Sequence, residues 1–68
     1  MDKNIKNIKA VVGCDVFSFE KYENGFSFCV ETELQAYKAA YAYRNLPMVN
    51  VVWSANCECW IVQVYSKI

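Results

Sequence analysis

Cys57-Glu58-Cys59-Trp60-Ile61-Val62-Gln63-Val64-Tyr65 reads as a strand that is apolar on both sides. Successive side chains of a strand point to opposite faces. Trp60, Val62 and Val64 therefore share one face, and Cys57, Cys59, Ile61 and Tyr65 share the other. A strand with one wet face alternates apolar and polar residues, and this one does not. One face must meet the protein's own core, and the second is expected to meet another protein surface.

Upstream, Met48 to Ala55 has the same extended character, with Val49, Val51 and Trp53 on one face and Met48, Asn50, Val52 and Ser54 on the other. A turn at Ala55-Asn56 would fold the two segments together and lay Trp60, Val62 and Val64 beside Val49, Val51 and Trp53. Before Met48, Pro47 stops a helix whose start is marked by Thr32-Glu33-Leu34-Gln35, a capping box with an acid in the first turn. The helix is expected over Glu33 to Asn45, with Arg44 in its last turn. On its wheel Ala40 is central to a wide apolar arc, with Ala36, Ala39 and Tyr43 to one side and Leu34, Tyr37 and Tyr41 to the other. Either the whole arc lies on a sheet, or Leu34, Tyr37 and Tyr41 form a separate exposed strip for a partner.

Asn24-Gly25 is the strongest hairpin signal in the chain. A two-residue loop at Asn24-Gly25 would set Phe28 opposite Lys21. A four-residue loop, Tyr22 to Gly25, sets Phe28 opposite Phe19 and Val30 opposite Phe17, and keeps one face apolar. The second register is the expected one. Ala10 to Phe19 is read as the first strand, with a phase switch near Gly13 and Asp15 that suggests a bulge or bend. The repeat Lys3-Asn4-Ile5-Lys6-Asn7-Ile8 is read as part of a solvated basic arm over residues 1–9.

The expected fold is α+β: a single two-layer β-β-α-β-β domain over residues 1–68, in which one helix covers one face of a four-stranded, mainly antiparallel sheet. The covered face is expected to hold Phe17, Phe19, Phe26, Phe28, Val30, Val49, Val51, Trp53, Trp60, Val62 and Val64. The open face is expected to hold Val52, Cys57, Cys59, Ile61 and Tyr65.

The 68-residue chain is 56% hydrophobic, has 11 aromatic residues and carries no formal net charge. A chain this short buries only about 60% of its unfolded surface, so it gains from a staple such as a disulfide, a metal or a second subunit. A single arginine and an acidic segment holding Asp15, Glu20, Glu23, Glu31 and Glu33 do not favour nucleic acid, whose affinity comes largely from phosphate neutralisation. Tyr37, Lys38, Tyr41 and Arg44 are the best residues for a weak single-strand platform. The chain has no apolar run of membrane-spanning length and no basic-then-apolar leader. A cytoplasmic, membrane-free setting with reduced thiols is expected.

The chain contains no histidine, which removes Ser-His and Cys-His nucleophiles and the commonest metal ligand. Cys14, Cys29, Cys57 and Cys59 lack the paired Cys-x2-Cys spacing of structural zinc. They are read as free, small, apolar side chains. Two isolated glycines, Gly13 and Gly25, do not build a phosphate loop. These readings point to a non-enzymatic protein without cofactor or metal. The favoured function is occlusion of a partner protein's surface, in the manner of phage-encoded inhibitors of host defence enzymes, an analogy of size and composition. Partner contact is expected through Val52, Cys59, Ile61, Tyr65, Tyr37 and Tyr41. The alternatives are a homodimer or other homo-oligomer holding a small ligand or nucleotide between subunits, and a weak nucleic-acid-binding module.

Overall fold

The strand that is apolar on both faces lies inside the sheet, with a neighbour on each side. In the computed structural model, which describes residues 3–67, the elements are α1 (Lys3–Val12), β1 (Phe17–Tyr22), β2 (Gly25–Val30), α2 (Glu33–Ala42), β3 (Met48–Ser54) and β4 (Cys59–Tyr65). The sheet order is β1-β2-β4-β3 and every neighbouring pair is antiparallel. A four-stranded antiparallel α+β fold is thus what the sequence predicts and what the chain adopts. The fold differs from expectation in having a second helix.

That helix replaces the basic arm and the beginning of the expected first strand. Ile8 and Val12 stand four residues apart and are both buried in the common core, the spacing of a helical stripe. Gly13 ends α1 at φ +78, and its N–H donates to the Lys9 carbonyl at 2.8 Å. This is a left-handed helix end of the kind glycine supplies without steric cost. The glycine read as a strand bulge is therefore a helix stop. Lys9 sits in the last turn, where a cation suits the helix dipole, and its ammonium is 3.5 Å from Asp15.

The β1–β2 hairpin has the predicted register at its turn, where Tyr22 faces Gly25, Lys21 faces Phe26 and Glu20 faces Ser27. The register then slips by one residue, so that Phe17 faces Cys29 and not Val30. Ser18 absorbs the slip at φ +54. The bulge sends Phe17 to the open face, a correction to its expected place in the core, while Phe19 stays on the covered face with its ring 5.9 Å from Phe26. Gly25 has no room for a side chain, because a Cβ would run into the Val64 carbonyl and lie 2.8 Å from the Tyr65 Cα.

On the far side, β3 and β4 pair as expected, with Val49 facing Val64, Val51 facing Val62 and Trp53 facing Trp60. Residues 55–58 form the connecting turn, so Cys57 leaves the strand in which the sequence places it, and Glu58 turns the chain at φ +54. Both helices pack on one face of the sheet. Ile8, Val12, Val16, Phe28, Val30, Ala36, Ala39, Val62 and Val64 make the continuous core. Ala36 and Ala39 are fully buried, and their small size lets the α2 backbone approach the strands.

Candidate protein-binding surfaces

The capping box positions α2. The Gln35 N–H donates to Thr32 Oγ1 at 3.1 Å, and the Thr32 and Glu31 N–H groups donate back to Gln35 Oε1 at 3.3 and 3.2 Å. The helix ends at Ala42, three residues before the expected Asn45, with Tyr43 as its cap. Arg44 lies just beyond and not in the last turn, yet it still serves the helix end. Its guanidinium donates to the Tyr41 carbonyl at 2.9 Å and lies 4.1 Å above the Tyr41 ring.

With Ala36 and Ala39 turned inward, the other side of the apolar arc is left uncovered among the described residues. Leu34 is 70% exposed, Tyr37 55% and Tyr41 66%, and Val11 of α1, 53% exposed, lies against the same groove. This open groove of about 570 Å³ is lined also by Val12, Lys38, Ala42 and Arg44. Among the described residues its lining is apolar with two cations and no carboxylate. Of the two sequence readings of the helix, the separate exposed strip matches the geometry. The sequence pattern places Val11 in a strand, and the structure places it on α1. The signal for it was the helical spacing of Ile5, Ile8 and Val12, which the charged repeat obscured.

The open sheet face carries the other expected contacts. One row across the sheet runs Phe17, Cys29, Ile61, Val52. The next is polar and runs Glu20, Ser27, Gln63, Asn50, and the third runs Tyr22, Gly25, Tyr65, Met48. Val52 and Ile61 are therefore direct neighbours, whereas Tyr65 stands two rungs away behind Gln63. The Tyr22 and Ser27 hydroxyls hydrogen-bond at 2.9 Å within this face. Cys59 is only 3% exposed and cannot be a principal contact, which corrects its expected role. With Cys59 buried, the five remaining expected contacts divide between two surfaces on opposite sides of the molecule, Tyr37 and Tyr41 on one, Val52, Ile61 and Tyr65 on the other.

All four cysteines are free thiols. Burial pushes the Cys59 thiol up to about 11, with the neighbouring Cys29 and Cys57 thiols adding to the effect. Burial also raises Cys14, against the opposing pull of the Lys38 ammonium. A thiol held protonated at neutral pH is a poor nucleophile, so Cys59 is a packing residue. Among the described residues no group of three or more Cys, Asp or Glu is arranged to hold a metal ion. A smaller cavity of about 330 Å³ lies between α1 and β1, lined by Asn7, Ile8, Phe19, Lys21, Phe26 and Tyr43. None of the described helices is long and apolar enough to cross a membrane.

No known protein family, curated protein or solved structure matches this chain.

Proposed function

We propose that this protein is a non-catalytic binding module that acts by occluding a surface of a partner protein in the cytoplasm. The observation that carries the reading is the groove of Val11, Leu34, Tyr37 and Tyr41, whose cationic lining residues are Lys38 and Arg44. Such a surface suits an apolar segment of the partner that carries carboxylates beside its buried side chains. Exposed tyrosines supply large contact area at low entropy cost, and Arg44 is already ordered over Tyr41. Two lysine or arginine side chains neutralise few phosphates, so the groove favours a protein partner over a nucleic acid. An inhibitor of a host defence enzyme is one form such a module takes, and that choice rests on the chain's size and composition.

Photo-crosslinking tests the reading. A benzophenone amino acid at Tyr37 or Tyr41 is expected to trap a protein in the native host, and Leu34→Asp is expected to abolish the adduct. Because Leu34 is exposed, Leu34→Asp should change stability by no more than about 0.5 kcal/mol. Adducts with nucleic acid, or adducts that survive Leu34→Asp in a folded protein, would overturn the proposal.

A further inference from the structure

The two edges of the sheet are not equivalent. The β1 edge is interrupted by the Ser18 bulge and carries Glu20 and Lys21. Bulges and charges are the usual means by which a strand edge is protected from pairing. The β3 edge has neither. Its ladder to β4 is unbroken from Met48 opposite Tyr65 to Ser54 opposite Cys59. Its sequence, Met48-Val49-Asn50-Val51-Val52-Trp53-Ser54, has no charge, no proline and no glycine. Trp53 at the end of this strand remains 49% exposed although its ring lies 5.2 Å from Trp60.

We propose that β3 pairs antiparallel with β3 of a second copy, joining two four-stranded sheets into one continuous sheet about a two-fold axis. The occupant is a second copy because this strand is complementary to its own reverse. Pairing centred on Val51 sets Val49 opposite the partner's Trp53, and Asn50 opposite the partner's Val52. The aromatic–β-branched pair is a favourable cross-strand combination and covers the open side of the Trp53 ring. No charge meets its own copy along the seven residues, and a chain of zero formal net charge has no net repulsion to overcome. An axis normal to the sheet leaves both helix layers on the same side, so a dimer would present two α1–α2 grooves in one direction. This surface does not use the groove residues, and either proposal can fail without the other.

Light scattering and isotope-filtered NMR on the full chain test it. The mass is expected to rise with concentration from 7.9 kDa towards twice that value. A mixture of labelled and unlabelled chains should give contacts between the Val49 methyls and the Trp53 ring of the other copy. Val52→Lys, which puts an edge lysine on an exposed position, is expected to weaken the dimer about tenfold or more. Glu20→Lys on the β1 edge should leave it unchanged. A monomer at millimolar concentration would overturn the proposal. So would a dimer that Val52→Lys leaves intact, or intermolecular contacts arising from Phe17 and Ile61 or from Tyr41. Should Val52→Lys not fold, the wild-type contacts between Val49 and Trp53 decide the matter.

Discussion

Ser18 and Glu58 both hold φ near +54, a conformation that costs an L-residue with a Cβ roughly 1–2 kcal/mol. Ser18 shifts β1 by one position and moves Phe17 out of the core. Glu58 closes the β3–β4 turn and brings the chain to Cys59, one of the least exposed thiols. Three groups, Cys59, Cys14 and Tyr43, titrate above their ordinary values of 9.0 for a thiol and 10.0 for tyrosine, all chiefly through burial. The folded state therefore binds these protons more tightly than the unfolded state does, and unfolding releases them at alkaline pH. Their contribution to stability is fully present below pH 9.0 and is lost as pH rises, for Cys59 through about 11. Urea titrations at the two ends of that range are expected to show the loss, and Cys59→Val should reduce it. A stability that rises with pH across this window would contradict the assignment.

The two helices are held by different devices. α2 begins in a reciprocal cap, in which Thr32 and Gln35 satisfy three backbone N–H groups between them. α1 depends on its end at Gly13 and on Ile8 and Val12 in the core. Thr32→Ala is expected to cost about 1 kcal/mol. Gly13→Ala is expected to cost a similar amount, about 1 kcal/mol, through the left-handed φ alone, since open space surrounds the position. Denaturant midpoints measure both. Chemical shifts should show the Thr32→Ala loss as fraying of the first turn of α2 and the Gly13→Ala loss confined to α1.

The whole molecule has one core and several uncovered apolar surfaces, a consequence of its size. Phe28, Val30, Val62 and Val64 are the large side chains with no exposure, and Phe28 also contacts the Phe26 and Tyr43 rings at 6.2 and 6.3 Å. A core this small supplies about 3–5 kcal/mol of net stability, and Phe→Ala in a core costs about the same, 3–5 kcal/mol. Phe28→Ala is expected to unfold the monomer at room temperature, read as loss of amide dispersion. The exposed Leu34, Tyr37, Tyr41, Val52 and Trp53 contribute little to that core. They are the surfaces on which binding to a partner protein and pairing with a second copy are proposed.

Capping at Thr32, the hairpin turn, the pairing of Val49, Val51 and Trp53 with Val64, Val62 and Trp60, and most of the covered face were legible in the residues; Phe17 leaves that face, and Trp53, expected to be covered there, stays exposed beyond the edge of the core. These features rest on neighbouring positions, on period-two alternation and on turn chemistry, which act within a few residues of chain. The first helix was hard to read, because the charged Lys-Asn-Ile repeat obscures the spacing of Ile8 and Val12, and α1 is held by burying those two residues in the common core, where it packs on α2 and β1. The slip at Ser18 was also hidden, since a bulge is set by where the partner strand needs its side chains. Central placement of β4 between β2 and β3 is a matter of strand order, and local sequence carries no term for it. That placement explains much of why β4 is apolar on both faces: its own sheet neighbours half-bury Ile61 and Tyr65 and cover Cys59 almost fully. The division of the expected contacts between a helix groove and an open sheet face likewise follows from packing, because both helices settle on one side of the sheet and leave the other bare.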